Sequence, residues 1–546
     1  MGDEKQPFRI GLCMAGAISA GAYTAGVVDY LLEALETWQQ RKDSNVPNTP
    51  MHRVEIPVIG GSSAGGMTGL LTASAIQQSL LPVQQVVGSL MDARPENLLY
   101  HSWVDLVADD MLPVLLDTRD IRRGQVPSLL NAEFIDQIAQ RALGSASGPV
   151  KNRPYISERL RLFVTLSNLE GMPYSITFQS NAPSKNRYLI SSHNDYACFQ
   201  LANTASDYAG DGWIPLNFRN GLHTDLAQQA AMATGAFPIG LKARKLTREA
   251  AFVNDHSWFT YITKEAQQPI TRDPYTTVNV DGGMINNEPF ERVRELLLCE
   301  TGDTKKEMQH HASCKSTVLL IDPFPSEQGT FNDGVTIPGI IGRTLGAVLG
   351  QARMKPSTLV EAMDNHNPGQ FLIAPVRYDK TSGVEKPIEG SKAIACGALE
   401  GFAGFISKEF RIHDFFLGRA NCEKFLRDHF TVPQDTTNPI FVEGYAGVEN
   451  LSPFLSKSGQ LQIIPLFTNA QPEAYMPVFA NGQIWPTVDK QAFLAHKPLM
   501  KKRVEKVLLN LTEYTRSQRL LVWLAGKLGV NGKVVEEIVK MVISDW

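Results

Sequence analysis

Residues 54–66 have the sequence Val-Glu-Ile-Pro-Val-Ile-Gly-Gly-Ser-Ser-Ala-Gly-Gly, which predicts a buried strand over Val54–Ile59, a sharp turn and then a helix. The turn contains Gly61-x-Ser63-x-Gly65, the pattern of a nucleophile elbow, in which small neighbours let the backbone approach a serine side chain. The helix that follows points its N-terminal dipole at the serine oxygen and favours negative charge there. We therefore take Ser63 as the candidate nucleophile and Ser62 as structural. A tight turn without catalysis is the alternative.

The segments around this turn alternate between strand and helix patterns. A strand over Phe8–Met14 and a helix over about Ala22–Arg41 precede the turn, and Met67–Leu80 is helical in pattern. Strand, helix, strand, helix in this order indicates an α/β fold with a mostly parallel central sheet flanked by helices. Later elements are a predicted hairpin within Leu160–Phe178, a helix over Asp225–Ala236, and strands at Val278–Val280 and Thr317–Ile321.

The length of 546 residues exceeds the size at which one hydrophobic core usually stops growing. We predict an α/β domain over residues 8–325 and a mostly helical C-terminal extension over residues 335–546 that packs against it. The loop Pro325–Gly334 is the candidate boundary, and Phe371–Val376 is one strand-like run within the extension.

Composition limits the possible partners and cofactors. The 52 basic and 56 acidic side chains give a net charge of −4, which offers no electrostatic reason to expect nucleic acid binding. The six cysteines are scattered without a CxxC pair, as in proteins of a reducing compartment, and predict a cytoplasmic location. The chain has no HExxH, EF-hand loop or Cys/His cluster, so we expect no metal and no diffusible cofactor.

The nearly uncharged stretch Ile10–Val28 superficially fits a secretory signal or a transmembrane span. Its four glycines and its few large apolar residues favour a strand, a turn and a helix instead.

Asp281 is the candidate base for Ser63. It follows the short apolar strand, and the two glycines after it allow its carboxylate to project into a cleft where α/β sheets place ligands. A free aspartate has a pKa of about 3.9 and is a poor base at neutral pH. The role of base therefore requires burial, which raises that pKa. A turn carboxylate that accepts backbone hydrogen bonds is the alternative. A Ser-Asp-His arrangement through His310 or His311 is disfavoured, because those histidines lie in a polar stretch and only one strand and helix precede Ser63.

Three ordered blocks, spanning residues 8 to about 325, carry a family resemblance. They are the elbow at 60–66, Ala231–Pro238 and Asp281–Pro289, the last with Asp-Gly-Gly followed by Asn and Pro. Together they resemble patatin-like phospholipases, which use a serine and an aspartate without histidine. The resemblance implies the patatin-like three-layer fold and a Ser63–Asp281 dyad. The glycines that support the two motifs are Gly61, Gly65, Gly282 and Gly283.

The loop after the first strand departs from the family's Gly-Gly-Gly-x-Arg/Lys-Gly pattern, since this chain has Gly16-Ala17-Ile18-Ser19-Ala20-Gly21. By the resemblance, the oxyanion hole takes backbone N–H groups from Gly16, Ala17, Ile18 and Ala64. A β-branched residue such as Ile18 resists positive φ, and Ala20 replaces a basic residue. If the loop requires positive φ at Ile18, we expect a misplaced hole and weaker activity.

The extension contains two further segments of interest. Phe410–Cys422 resembles a segment of longer family members, and we interpret it as a structural helix in which His413 is not catalytic. Val534–Ile543 has apolar residues at helical spacing and either lies on a membrane surface or docks on the protein core, the second being favoured.

The resemblance implies a serine acyl hydrolase that cleaves lipid acyl esters, as a phospholipase A or lipid acyl hydrolase. Its substrate is a membrane or micellar lipid, and peripheral membrane association is an expectation. The alternative from another class is a weakly active or inactive scaffold with an altered oxyanion loop. An acyltransferase and a lipase or thioesterase preference also stay open. The sequence does not indicate an oligomeric state.

Overall fold

The computed structural model describes residues 6–86, 97–144, 153–179, 187–325, 367–379, 386–467, 475–527 and 529–544, together with residues 340, 343 and 347. Within these residues a nine-stranded sheet forms the centre of the molecule. Its strands are β1 (Phe8–Met14), β2 (Val54–Gly61), β3 (Ile156–Thr177), β4 (Arg187–Leu201), β5 (Ile214–Leu216), β6 (Arg244–Arg248), β7 (Tyr275–Asp281), β8 (Ser316–Ile321) and β9 (Gln370–Ile373).

The strand order is β5-β4-β3-β2-β1-β8-β9, and β7 joins through β3 and carries β6 on its other side. The run from β3 through β2, β1 and β8 to β9 is parallel, as is β4 with β5. The pairs β3–β4, β3–β7 and β6–β7 are antiparallel. The predicted α/β fold with a mostly parallel central sheet is confirmed.

Helices cover both faces of this sheet. The helices of six or more residues are α1 (Gly21–Asp43), α2 (Ser63–Ile76), α3 (Glu133–Leu143), α4 (Thr224–Thr234), α5 (Phe290–Thr301), α6 (Lys408–Asp428), α7 (Pro439–Tyr445), α8 (Lys490–Ala495), α9 (Lys497–Asn510), α10 (Arg516–Lys527) and α11 (Val530–Ser544). Shorter helical segments include Leu98–Tyr100, Leu112–Leu115, Ala251–Asn254 and Lys305–Met308. Small two-stranded sheets pair β10 (Val376–Asp379) with β11 (Lys386–Glu389) and β12 (Thr431–Val432) with β13 (Leu461–Gln462).

The alternation of side chains along β2 shows how the layers pack. A Cβ placed on Gly60 would lie 2.7 Å from Val293 of α5, whereas a Cβ placed on Gly69 of α2 would lie 3.1 Å from the side chain of Ile59 of the same strand. Successive strand residues point to opposite faces, so α2 and α5 cover opposite sides of the sheet. The result is three layers, with Ser63 at the junction between β2 and α2.

The predicted hairpin within Leu160–Phe178 is wrong. The segment belongs to one long strand, β3, which pairs with β4 on both sides of Gly171. The register shifts between Ser167 and Met172, and Gly171 has a φ of +69°. The glycine and proline there mark an irregularity within the strand rather than a reversal of the chain.

The C-terminal extension shares the central sheet and packs closely on the first helix. Strand β9 pairs with β8, and α6 lies against α1. The two helices approach at Gly26 and Gly418, since a Cβ on Gly26 would lie 1.9 Å from the carbonyl oxygen of Phe415. The division at residues 8–325 and 335–546 stays a prediction, and most of the proposed boundary loop lies outside the described residues.

Two other segments have a clear place in the fold. Ile10–Val28 forms part of β1, a 3₁₀ turn at Ile18–Ala20 and the start of α1, as the strand-turn-helix interpretation predicts. Val535 and Val539 of α11 are buried in a cluster with Phe493 and Met500, so this side of α11 docks on the protein. In the part of the chain that the structure describes, no helix has the length and apolarity needed to cross a membrane.

Candidate active site

Ser63 lies at the sharp turn between β2 and α2, with a φ of +51°. Positive φ is strained for a residue with a side chain, and such strain is commonly retained at functional sites. The turn is too tight for side chains at its glycines, since a Cβ on Gly61 would lie 2.6 Å from the Gly65 carbonyl oxygen and one on Gly65 would lie 2.3 Å from the Met14 carbonyl oxygen. The Ser63 N–H donates to Thr234 Oγ1 at 2.9 Å, which ties the turn to the end of α4.

Asp281 ends β7 beside this turn. The Ser63 hydroxyl donates to Asp281 Oδ2 at 2.6 Å, and the Gly283 N–H donates to Asp281 Oδ1 at 2.8 Å. Burial raises the pKa of Asp281 to about 6, and the hydrogen bonds from Ser63 and Gly283 partly offset that rise. The strand end is fixed because the Ser167 hydroxyl donates to the Asp281 carbonyl oxygen at 2.8 Å. The Asp281 carboxylate thus accepts from the Ser63 hydroxyl, as expected of a base, and also from a backbone N–H, as expected of a turn carboxylate.

The glycines after Asp281 permit close approach to neighbouring backbone. A Cβ on Gly282 would lie 2.1 Å from the Thr165 carbonyl oxygen, and one on Gly283 would lie 2.6 Å from Asn287 Oδ1. Gly282 therefore requires glycine for steric reasons, whereas a side chain at Gly283 would displace the end of the Asn287 side chain. Thr165 also donates to Ser62 Oγ at 2.8 Å, which gives Ser62 a structural contact.

The loop Gly16–Gly21 lies directly against Ser63. A Cβ on Gly16 would come 3.0 Å from the Ser63 Cβ. Ile18 has a φ of +48°, so this β-branched residue adopts the left-handed conformation that its side chain disfavours. The loop thus takes up positive φ at Ile18 in spite of the substitution, at a cost of about 1–3 kcal/mol. Ala64, the fourth residue of the predicted oxyanion hole, is the second residue of α2 and lines the same cavity as Ile18.

Residues of the extension hold this loop in place. The buried Ser19 hydroxyl donates to the Gly401 carbonyl oxygen and accepts from the Gly404 N–H at 3.1 Å. The fully buried Arg411 of α6 in turn donates to the Gly404 carbonyl oxygen at 2.6 Å and to the Val104 carbonyl oxygen at 2.8 Å. His413 is buried beside Asp414 at 2.7 Å and does not line the Ser63 cavity. Its position fits the structural interpretation of α6.

A largely apolar cavity of about 60 Å³ opens beside Ser63 and Asp281. Trp103, Phe134 and Ile138 form part of its wall, and Phe405 of the extension closes another part. Among the described residues that line the cavity there is no histidine, and His310 and His311 lie in a polar surface turn after Lys305–Met308. The site thus places a hydroxyl and a carboxylate at the edge of an apolar space.

Three contributors to the site carry no sequence motif that identifies them. Thr234 supports the Ser63 backbone, and its only sequence signal is its place in the block Ala231–Pro238. Trp103 and Phe405 line the cavity from segments far from Ser63 in the sequence. Within the described residues no group of three or more His, Cys, Asp or Glu side chains is arranged to hold a metal ion, and the expectation of a metal-free site stays a prediction.

Comparison with known proteins identifies the family. The family model for patatin-like phospholipase matches residues 12–294, which include Ser63 and Asp281. A protein of Sinorhizobium fredii (strain NBRC 101917 / NGR234), named "Uncharacterized protein y4iI", is 32% identical over 549 aligned residues. The alignment covers 92% of this chain and 75% of that protein, so the similarity continues into the extension. The chain belongs to the patatin-like phospholipase family.

Proposed function

We propose that this protein is a serine acyl hydrolase that cleaves acyl esters of lipids through a Ser63–Asp281 dyad. The family acts on lipid esters, which gives the class of substrate. The observation that carries the proposal is the 2.6 Å hydrogen bond from the Ser63 hydroxyl to the buried Asp281 carboxylate, because it joins a strained serine to a group able to take its proton.

The pKa of Asp281 suits the role of a base. At about 6 it lies closer to neutral pH than an ordinary aspartate, and the carboxylate is still mostly ionised at pH 7. In the proposed reaction Asp281 takes the proton of Ser63 as the serine oxygen attacks the ester carbonyl carbon. The proton passes to the leaving alcohol, and the acyl group stays on Ser63. Asp281 then deprotonates a water molecule that attacks the acyl carbon, and it returns the proton to the Ser63 oxygen as the fatty acid leaves.

The negative charge on the attacked carbonyl oxygen needs hydrogen-bond donors. We assign these to backbone N–H groups of Gly16, Ala17, Ile18 and Ala64, because the loop lies against Ser63 and Ala64 is in the first turn of α2. The altered sequence of this loop is the main support for the scaffold alternative. The positive φ at Ile18 favours the enzyme instead, because strained backbone conformations cluster at functional sites.

We also propose that the protein associates peripherally with anionic lipid surfaces through α10. Leu520, Leu521 and Leu524 of this helix are 55%, 65% and 41% exposed, with Arg516 and Arg519 on the same helix. Residues 497–544 contain ten basic and four acidic residues, in a chain whose net charge is negative. Exposed leucines with basic neighbours are typical of helices that lie in a membrane interface. A cytoplasmic location is proposed separately, from the scattered cysteines without a CxxC pair.

Vesicle sedimentation tests the association. We expect Leu521→Asp to lower the fraction bound to phosphatidylglycerol vesicles several-fold, because a charge replaces an apolar contact with the lipid. Val442→Asp, at a residue 51% exposed on α7, is the matched control. Equal loss in both variants, or none in either, contradicts this assignment.

Covalent labelling tests the catalytic assignment. A fluorophosphonate reacts with an activated serine, so we expect it to label the wild-type protein and to leave Ser63→Ala unlabelled. Ser62→Ala is the control at the adjacent position, and it should keep most of the labelling. A well-folded wild-type protein that resists labelling, or a Ser63→Ala variant that labels normally, contradicts the dyad.

A further inference from the structure

A second apolar cavity lies beside the catalytic one. It has a volume of about 480 Å³ and is bounded by α9, by the segment around Leu112–Leu130 and by residues 402–406. Phe405 lines both cavities and therefore stands between them. Its carbonyl oxygen accepts from the Met111 N–H at 3.0 Å, and its ring packs against Phe134 with centroids 6.1 Å apart. The second cavity is built largely by the extension, beyond the residues that the family model matches.

The lining of this cavity is hydrocarbon. Arg503 is the one polar side chain among the described residues that line it. Its guanidinium donates to both carboxylate oxygens of Asp120 and to the carbonyl oxygens of Asp117, Ser128 and Leu129, at 2.9 Å for Leu129. These contacts use the charge and the donors of Arg503, which leaves its methylene stem to line the space. A carboxylate or phosphate placed there would lack a partner, so the cavity suits an alkyl chain.

The cavity is open to the outside through apolar residues. Two of its lining residues, Leu129 and Val534, are 47% and 40% exposed. The Leu129 N–H donates to the carbonyl oxygen of Ile239, a neighbour whose side chain is also exposed. An alkyl chain can therefore enter from a lipid phase without crossing a polar rim.

We propose that this cavity holds the second acyl chain of a two-chain lipid whose scissile ester lies at Ser63. The inference rests on the proposed function, because the polar part of the ligand is then held at the dyad. The absence of a polar anchor among the described lining residues favours a chain tethered to such a ligand over a free fatty acid. Phe405 separates the two chains, with one on each side of its ring.

Cavity-filling variants test this assignment. Val504→Trp fills the space from α9, and Leu112→Trp fills it from the opposite wall, so one variant serves if the other does not fold. Lys506→Trp, at an exposed residue of α9, is the matched control, and thermal melting reports folding. The substrates are dioleoyl phosphatidylcholine and oleoyl lysophosphatidylcholine in the same detergent micelles.

We expect filling to lower the ratio of kcat/KM for the two-chain lipid to that for the one-chain lipid at least tenfold, because only the two-chain lipid uses the cavity. The control should keep the wild-type ratio. An unchanged ratio in a folded filled variant overturns the proposal. Equal loss for both lipids also overturns it, because the cavity would then serve the chain attached at Ser63.

A binding measurement separates this proposal from the catalytic one. The probe is a dialkyl ether phosphatidylcholine with pyrene at the end of one chain, which no esterase cleaves. We expect the protein to shield the pyrene from iodide quenching, and Val504→Trp to reduce that shielding several-fold. Shielding without Ser63 labelling would leave the cavity assignment standing and remove the catalytic one. Labelling of Ser63 without shielding of the pyrene would leave the catalytic assignment standing and remove the cavity assignment.

Discussion

On one side of the cavity, Ser63 and Asp281 meet through a 2.6 Å hydrogen bond within the region that the family model matches. On the other side, Phe405 and the Gly401–Gly404 turn come from the extension and contact the cavity and the loop beside Ser63. The first side depends on tight backbone turns that require glycine at fixed positions. The second depends on the docking of α6 on α1, with Gly26 against the Phe415 backbone and Arg419 paired with Asp29. The Ser63–Asp281 pair thus comes from the region that the family model matches, whereas part of the cavity wall comes from the extension. We therefore expect substitutions on the two sides to have different effects.

Asp281→Asn removes the proposed base and should have the largest effect. Because the amide cannot take the Ser63 proton, we expect hydrolysis of a lipid ester to fall at least about 10³-fold. A loss of less than tenfold, measured as kcat/KM on a purified variant, would show that another group acts as the base.

The same substitution should stabilise the fold at neutral pH. The folded-state pKa of Asp281 is raised from 3.8 to about 6, so ionising this buried carboxylate costs folding free energy above pH 6 and nothing below pH 3.8. The asparagine avoids that cost, and we expect its free energy of unfolding at pH 8 to exceed that of the wild type by up to about 3 kcal/mol. The difference should disappear near pH 4 in denaturant titrations. A variant less stable than the wild type at pH 8 contradicts the raised pKa.

Ser19→Ala removes the hydrogen bonds between the Gly16–Gly21 loop and the extension. It leaves the Gly404 N–H and the Gly401 carbonyl without their side-chain partner, which costs about 1–3 kcal/mol of stability. Because the Gly16–Gly21 loop then loses its attachment, we expect kcat to fall about tenfold.

Ser74→Ala is the control for this loss. Ser74 is also fully buried, and its hydroxyl donates to the Ala142 carbonyl oxygen at 3.0 Å, on the part of α2 remote from Ser63. It should lower stability by a similar amount and leave kcat unchanged. If the two variants have the same kcat, the extension does not set the loop.

Ile18→Gly should have the smallest effect. Glycine removes the strain of positive φ at this position but also removes apolar surface from the cavity, so we expect kcat to stay the same or to rise up to about threefold. Ile18→Ala removes the surface without the same relief of strain and separates the two contributions. A tenfold loss in Ile18→Gly alone would mean that the loop needs a side chain there to keep its conformation.

The sequence predicts the first side of the cavity well and the second poorly. Strand β1 has the predicted bounds, and β2 and β8 lie within a few residues of theirs, because buried parallel strands are short apolar runs. The antiparallel β7 also lies within a few residues of its predicted bounds, and two glycines follow it. The same kind of signal misleads at Gly171, where a glycine marks a register shift inside β3. No local sequence pattern distinguishes a glycine that ends a strand from one that marks a register shift within it.

Long-range contacts account for what the sequence does not show. Thr234 and Phe405 act through positions that only the folded chain brings to Ser63, and neither residue type is specific for that role. The expectation that Ile18 would resist positive φ considered the residue alone. In the fold, hydrogen bonds from Ser19 to the extension offset the local preference.

The pH dependence of fluorophosphonate labelling tests the central claim most directly. If Asp281 with a pKa of about 6 is the base for Ser63, the labelling rate should rise about tenfold per pH unit below pH 6 and level off above it. In Asp281→Asn this inflection should be absent and the rate low throughout. An inflection near pH 6 that persists in Asp281→Asn would contradict the account, because another group would then activate Ser63.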